Sequence, residues 1–278
     1  MRDLLELVSF AWRRAREALL SASVLASLGC VASTFVAVAA WEAATGREMR
    51  RYLTRNARTD AIYTLFYVAG VFSFLVSGPI NRALRLLVSD VAPLDANLAR
   101  ALPAAAQVAL AFLVMDAVGY WMHRLMHASP LLWAFHRIHH SQQRLTVLTN
   151  FRFHFVEVAL FGLATFVPGL LLKAPAWLAA SLVALGVQLL AHSGHDWSYG
   201  PLDRLLVSPR FHGVHHSTDP RHYGSNFGML FSLWDRLFGT ALTGERATAF
   251  GSPGFDAPES FTRQALHPFL ALLRGRAS

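Results

Sequence analysis

Residues 103–140 read PAAAQVALAFLVMDAVGYWMHRLMHASPLLWAFHRIHH. The first half is an apolar stretch of about 20 residues, the length that an α-helix needs to cross a hydrocarbon core. The second half carries two histidine clusters, a first with i, i+4 spacing and a second with i, i+3, i+4 spacing. On a helix, each cluster projects several imidazoles from one side. The stretch therefore predicts a membrane helix that leads directly into a metal site.

A third cluster, much later in the chain, repeats the i, i+3, i+4 spacing. Of the 13 histidines, all but His267 lie between residues 123 and 222. A lone histidine near an apolar segment is more often structural than ligating, and His267 is interpreted so. Eight clustered imidazoles could not all find hydrogen-bond partners among so few carboxylates, and they are too many for one ion. We predict two metal ions, bound by the first cluster (His123, His127), the second cluster (His136, His139, His140) and the third cluster (His212, His215, His216).

The composition predicts an all-α integral membrane protein. Hydrophobic residues make up 54% of the 278 residues, charged residues 15%, and the mean hydropathy is +0.36. A soluble domain of this size could not cover so much apolar surface. Four to five transmembrane helices are expected, because the first run is either a full span or a re-entrant or interfacial element. The apolar runs lie at residues 18–41, 61–80, 103–122, 155–172 and 176–192.

Charge patterning predicts the orientation. The first run begins only after a mixed-charge stretch at residues 2–17, so it is interpreted as a retained helix rather than a signal peptide. Arginines precede the second run, which favours a cytoplasmic loop there. The fourth and fifth runs form a tight hairpin across residues 168–175, which returns the third cluster to the side of the second. We expect a cytoplasmic histidine-lined helical cap. The loop arginines are Arg47, Arg50, Arg51, Arg55 and Arg58.

Three regions are expected along the chain: N-terminal membrane helices and a basic loop (1–102), a catalytic domain (103–240), and a tail with a possible interfacial helix (241–278). The net charge is +8 and the pI is about 10.5. Because the arginines lie beside apolar runs, this charge favours an anionic lipid surface, and no nucleic-acid partner is expected.

The ligand chemistry limits the choice of metal. The single cysteine, Cys30, lies in an apolar run, which excludes an intrachain disulfide and a thiolate cluster. Imidazole-rich sites suit iron, copper, nickel and zinc. A zinc hydrolase is disfavoured because no His-Glu-x-x-His occurs, and a haem protein because the histidines are grouped beyond the span ends. A membrane metal-binding or transport protein without redox chemistry is the alternative to an enzyme.

One long pattern resembles a known family. Its parts are Asp116-x-x-x-Tyr120-Trp121-x-His123-Arg124-x-x-His127, His136-x-x-His139-His140, Asn150-x-Arg152-x-His154-x-x-Glu157, His192, Pro209-Arg210-Phe211-His212-x-x-His215-His216, Asn226-Phe227-Gly228 and Trp234-Asp235-Arg236-Leu237-Phe238-Gly239-Thr240. This pattern, over about residues 110–240, resembles the fatty acid hydroxylase (sterol desaturase) superfamily, the membrane-bound histidine-box di-iron oxygenases.

The resemblance implies a non-haem site for two iron ions (Fe2+) on the cytoplasmic side, with O2 as co-substrate. Zinc could replace iron during purification. The implied activity is hydroxylation or desaturation of a membrane lipid, with electrons from a separate ferredoxin, cytochrome or reductase. The lipid class stays open among sterols, hopanoids, fatty acids, aminolipids and carotenoids. Composition favours a multi-pass protein of a bacterial cytoplasmic (inner) membrane.

The resemblance also implies residue roles. The eight clustered histidines and His192 match the metal ligands, and His195, one turn further on, is either a ligand or a proton relay. His154 is a ligand, a partner of a ligand or a substrate contact, and Glu157 and Asn226 are further site residues. Asp116 is expected to accept a hydrogen bond from a ligating imidazole; the alternative is an ion pair with Arg124 or Arg152. Tyr120 and Trp121 are interpreted as aromatics of the membrane interface.

Overall fold

The computed structural model describes residues 22–45, 49–91, 101–171 and 174–275. In these ranges the chain is helical and forms no extended strand, only two isolated β-bridges. The all-α prediction is confirmed for them. The helices are α1 (Ala22–Ala44), α2 (Arg55–Val68), α3 (Gly78–Val91), α4 (Ala104–Ala128), α5 (Pro130–His140), α6 (Phe155–Leu171), α7 (Ala174–Ala191), α8 (Pro209–His215), α9 (Leu233–Leu237) and α10 (Phe261–Leu273). Short 3-10 helices occupy Met49–Leu53, Val147–Phe151, Gly200–Arg204 and Pro220–His222.

Three sequence features fall outside the described residues. They are the mixed-charge stretch at residues 2–17, Arg47 of the basic loop, and the turn between α6 and α7 at residues 172–173. The helices α6 and α7 coincide in position with the predicted fourth and fifth apolar segments.

Two described helices are long and apolar enough to cross a membrane: α1, over Leu25–Ala44, and α4. A third candidate is the pair Arg55–Val68 and Ser73–Leu84, which qualifies only when both parts are counted together. The predicted total of four to five spans remains a prediction.

The second predicted span, residues 61–80, is broken rather than straight. The two parts of the pair meet at a bend of 50°. Between them Gly70 has a φ of +72°, which an L side chain rarely adopts. The second part begins with a π-helix at Ser73–Ser77, and at the following Gly78 a Cβ would lie 2.5 Å from the carbonyl oxygen of Ser73, so that only glycine fits there.

A single residue separates α4 from α5. Ser129 follows the last turn of α4, and its Oγ accepts a hydrogen bond from the Leu132 N–H at 3.4 Å, which caps the start of α5. Pro130 occupies the first turn, where its missing N–H has no intrahelical partner to lose. This tight connection folds the second histidine cluster back against the first.

An ion pair buried on both sides fastens α2 to the segment after α5. Asp60 Oδ1 accepts a hydrogen bond from Arg152 Nε at 2.5 Å, and Asp60 Oδ2 accepts from Gln142 Nε2 at 2.7 Å. Arg152 also donates to the Asn56 carbonyl at 3.0 Å. Residues from the N-terminal helices therefore support the loop that follows the second cluster. The C-terminal helix α10 packs against α5 and α2.

Candidate metal centre

Nine histidines converge in two adjacent groups. Within each group the possible ligand nitrogens all lie within 4.8 Å of one another. The two groups are in contact through stacked rings. The ring centroids are 4.3 Å apart for His140 and His216 and 5.3 Å apart for His136 and His139, and in each pair one histidine belongs to each group. The first histidine group is His123, His127, His136, His140 and His215, and the second histidine group is His139, His192, His212 and His216.

The sequence clusters do not correspond to these groups. The second cluster sends His136 and His140 to the first group but His139 to the second. The third cluster sends His215 to the first group and the other two residues to the second. Each i, i+3, i+4 triplet therefore lies between the groups and contributes to both.

The spacing of the nitrogens fits a bound ion. In the second group, His192 Nε2 lies 3.1 Å from His139 Nε2 and 3.0 Å from His212 Nε2, which is 3.1 Å from His216 Nε2. Two nitrogens on one ion at about 2.1 Å would lie about 3.0 Å apart at a right angle and about 3.4 Å apart at the tetrahedral angle. The observed separations fall in this interval.

Unsatisfied nitrogens in the first group also fit a metal. Nε2 of His123, His127 and His215 is buried and has no hydrogen-bond partner among the described residues. A buried polar atom without a partner is costly, unless an ion takes the lone pair. Since all donors in the two groups are imidazole nitrogens, the set suits a transition metal such as iron rather than magnesium or calcium.

Four rings are held in one tautomer by acceptors on Nδ1. Carbonyl oxygens accept from His123 (Phe227 O, 2.9 Å), His192 (Gln188 O, 2.8 Å) and His215 (Ser225 O, 2.8 Å). The fourth, His136, contacts the Glu157 carboxylate at 2.6 Å. Because each Nδ1 carries the proton, each Nε2 presents its lone pair to the group.

Burial keeps these imidazoles neutral. It lowers the pKa of the histidines in α5 and α8 well below the ordinary value of 6.5, and neighbouring imidazoles lower it further. A neutral imidazole is the form that binds a metal. The two groups are therefore ready to bind cations at neutral pH.

A small cavity opens between the two groups. Imidazoles of both groups form one side of it. The remaining wall is mostly apolar, with Phe153, Phe161 and Met229 beside Gln188. Phe153 stacks on His139 with 4.9 Å between ring centroids. An apolar group that enters this cavity would therefore meet the imidazoles directly.

The predicted site residues outside the three clusters differ in whether they contact the two histidine groups. Glu157 reaches the site through His136, whereas His154 does not enter either group. The His154 backbone N–H donates to Glu157 Oε1 at 2.8 Å, and its ring contacts the Ala265 carbonyl at 2.9 Å. His195 also lies outside both groups, and its Nε2 is 2.7 Å from Glu42 Oε1. His192 and His195 diverge because α7 ends at Ala191.

Asn226 supports the backbone behind α8. It adopts a φ of +58°, its Nδ2 donates to the carbonyls of Phe211 and Leu242, and its Oδ1 accepts from the Leu242 N–H at 2.7 Å. It braces the chain that carries two of the tautomer-setting carbonyls, those of Ser225 and Phe227.

Asp116 does not have the expected partner. Its carboxylate accepts hydrogen bonds from the N–H groups of Leu230 (2.7 Å) and Phe231 (2.9 Å) and from the Trp234 indole (2.9 Å). Neither an imidazole nor Arg124 or Arg152 occupies this role, because the segment after Phe227 crosses α4 at this point. The expected bond to a ligating imidazole is thus corrected to a bond with a loop.

The two neighbouring aromatics of α4 differ. Tyr120 is buried rather than interfacial, and its hydroxyl lies 2.9 Å from Thr240 Oγ1. Trp121 is 45% exposed, as an interface residue would be.

Sequence reasoning also missed Met229, because one methionine beside an Asn-Phe-Gly pattern carries no signal of its own. Its position in the cavity wall depends on tertiary contacts.

Comparison with known proteins supports the resemblance seen in the sequence. Residues 108–240 match the profile of the fatty acid hydroxylase family. An ornithine lipid hydroxylase of Rhizobium tropici is 37% identical over 174 residues, which is 60% of this chain and 51% of that protein. An alkylglycerol monooxygenase of Xenopus tropicalis is 31% identical, over 51% of this chain and 32% of that protein. Methylsterol monooxygenase 1-3 of Arabidopsis thaliana is 32% identical, over 49% of this chain and 47% of that protein.

The chain spans about half or less of the length of these relatives. No solved structure matches it. The matched segment begins within α4, ends just after α9, and includes all nine grouped histidines. Residues 108–240 of this chain are therefore similar to the fatty acid hydroxylase family, as the sequence motifs predicted.

Proposed function

We propose that the protein is an O2-dependent di-iron membrane oxidoreductase that hydroxylates a C–H bond of a lipid. The observation that carries this proposal is the pair of touching, buried histidine groups with an apolar cavity between them. The similar proteins are named as hydroxylases and monooxygenases of lipids, which favours hydroxylation over desaturation.

The first and second histidine groups would each hold one iron ion, and the pair would supply the reduction of dioxygen. The protein's own residues prepare the site. Glu157 and three backbone carbonyls keep the protons on Nδ1, so that the rings keep their orientation. Phe153 and Phe161 exclude water from the cavity and leave room for the apolar part of the substrate.

The overall reaction requires an external reductant. Converting R–H and O2 to R–OH and water uses two electrons and two protons, as the balance of the equation demands. We propose that a separate ferredoxin, cytochrome or reductase supplies the electrons. The net charge of +8 would attract an acidic donor.

Activity can be tested on iron-loaded protein from anaerobic purification. We expect about two iron ions per chain, and O2 uptake that needs both a reductant and a lipid extract. Mass spectrometry of cells expressing the protein should show a lipid that gains one oxygen atom. His139→Ala should abolish this product, whereas His267→Ala, outside both groups, should not.

Other outcomes would contradict the proposal. Zinc-only protein with no lipid change after iron loading would count against an oxygenase. Movement of metal ions across vesicles without O2 uptake would favour the transport alternative.

We further propose that the protein is a multi-pass protein of a bacterial inner membrane, with its metal centre facing the cytoplasm. A Cys30→Ser background allows single-cysteine labelling with an impermeant maleimide. Ser198→Cys lies in an exposed loop shortly after His192 and should be labelled only in inverted vesicles. Leu102→Cys lies at the opposite end of α4 from the first cluster and is the control that should be labelled in intact cells. The reverse pattern would refute this orientation.

A further inference from the structure

We propose that the Met229 side chain, seated against Gly119, sets how far the hydrocarbon part of the substrate enters the cavity, and therefore which C–H bond is oxidised. This inference rests on the proposed function. Met229 lines the cavity together with imidazoles of both groups. Its role would be in specificity.

The backbone before Met229 cannot move freely. The Gly228 N–H donates to Asp235 Oδ2 at 2.7 Å. A Cβ on Gly228 would lie 2.5 Å from the carbonyl oxygen of Phe231 and 2.8 Å from that carboxylate oxygen. Only glycine lets the chain pass so close to Phe231 and Asp235, and the hydrogen bond to the Asp235 carboxylate holds the backbone there.

The backbone at and after Met229 is held as well. The Met229 carbonyl accepts a hydrogen bond from Gln188 Nε2, and the Leu230 N–H donates to Asp116 Oδ1 at 2.7 Å. Two helices, α4 through Asp116 and α7 through Gln188, therefore fix the Cα of Met229. The side chain is the part that can adjust.

The thioether fills the space that a missing side chain leaves on α4. A Cβ on Gly119 would lie 2.5 Å from Met229 Sδ, closer than real contacts allow. Methionine has three rotatable side-chain bonds and adapts to such a change. An added methyl group would displace the thioether from α4, and the open space that Met229 borders is the cavity.

The other apolar walls are less adjustable. Phe153 stacks on His139, and Phe161 packs on Phe153 at 5.4 Å between centroids. The two phenylalanine rings are therefore held by each other and by His139, a proposed metal ligand. Met229 is thus the wall residue whose length and position decide the depth of the cavity. One methylene in an apolar pocket changes selectivity by about 10- to 200-fold.

Three variants test the proposal: Met229→Ala, Gly119→Ala and the double variant. Oxidised lipids are identified by mass spectrometry, with the position of the new oxygen located by fragmentation. Met229→Ala should move or broaden the oxidised position. Gly119→Ala should lower turnover about tenfold or more because the thioether blocks the cavity. The double variant should recover turnover and oxidise the position seen with Met229→Ala.

Two controls match the substitutions. Gly186→Ala adds the same methyl group on α7, where the nearest atom is Cys30 Sγ at 3.8 Å. Met115→Ala removes the same side chain on α4, away from the cavity lining. Neither should change the oxidised position, and iron content should be equal in all variants.

A second measurement does not depend on turnover. Xenon binds apolar cavities, and its NMR signal can be compared in zinc-loaded, redox-inert protein. Binding should increase in Met229→Ala, decrease in Gly119→Ala and recover in the double variant. If wild-type protein oxidises no lipid but xenon responds in this way, the proposed function fails while the role of Met229 in the cavity stands.

The proposal is overturned if active wild-type protein and all three variants oxidise the same position. It is also overturned if the double variant recovers neither turnover nor xenon binding relative to Gly119→Ala.

Discussion

The orientation of four of the nine imidazoles, those of His123, His136, His192 and His215, is set by a hydrogen bond at Nδ1. Three of the four acceptors found there are backbone carbonyls, which no side-chain substitution removes. Glu157 is the fourth and is a side chain, at 2.6 Å from His136. It is therefore the position at which the orientation of a proposed ligand can be tested by substitution.

We expect Glu157→Ala to weaken metal binding about 10- to 100-fold, because His136 loses the acceptor that fixes its tautomer. Competition with a chelator of known affinity measures this change. Glu157→Gln, which keeps an acceptor oxygen, should lie between Ala and wild type. Glu259→Ala, which removes a 66% exposed carboxylate paired with Arg55, is the control and should have no effect. Equal affinity in Glu157→Ala and wild type would exclude this role.

Asp116 offers a second residue-scale test. Asp116→Ala leaves one buried donor (Leu230 N–H) and two partly buried donors (Phe231 N–H and the Trp234 indole) without their acceptor, and a buried donor left so costs about 1–3 kcal/mol. We expect a clear loss of thermal stability in detergent. Asp196→Ala is the control, since that carboxylate is 44% exposed and its ion pairs contribute about 1 kcal/mol or less. Similar melting temperatures for both variants would refute the assignment.

At the scale of elements, the N-terminal helices support the metal centre. The Asp60–Arg152 pair is almost completely buried and connects α2 to the segment that follows α5. Removing one partner of such a pair leaves a buried charge uncompensated. The stability of the site should therefore depend on residues that are distant in sequence.

We expect Asp60→Ala to reduce the free energy of unfolding by about 3–5 kcal/mol. The double variant Asp60→Leu, Arg152→Met should recover most of this loss, because no charge is left behind. Denaturant unfolding in detergent provides the measurement. The exposed pair Arg55–Glu259 is the comparison, and Arg55→Ala should cost about 1 kcal/mol or less. A double variant as unstable as Asp60→Ala would contradict the explanation.

At the scale of the whole molecule, metal binding connects separate parts of the chain. The first histidine group combines residues of α4, α5 and α8, and the second combines residues of α5 and α8 with His192 and His216, which directly follow α7 and α8. A ligand that binds only the folded state stabilises it, by about 2.7 kcal/mol at 100 times its dissociation constant. The ions should therefore contribute to the stability of the whole bundle.

We expect chelation of the metal to lower the melting temperature and added ferrous iron to restore it. His139→Ala should reduce the restoration, whereas His267→Ala should not. The same melting temperature with and without metal would show that the two groups bind no ion tightly.

The sequence alone determined a large part of this description. The long apolar runs predicted apolar helices, because the length and composition of an uncharged stretch are themselves a clear signal. The histidine spacing predicted a metal site, and the pattern from Asp116 to Thr240 showed the resemblance to the fatty acid hydroxylase family. Each of these features is recognised from residues close together in sequence: an apolar run, a histidine cluster, or one of the short motifs that make up the pattern.

Tertiary structure decided how the histidines divide into two groups. A triplet with i, i+3, i+4 spacing spreads over part of a helix face, and the tertiary packing of the segments that carry the histidines determines which imidazole meets which partner. The partners of Asp116 and the position of Met229 were decided in the same way. Each depends on a contact between segments far apart in the chain, and no local pattern specifies which segments meet.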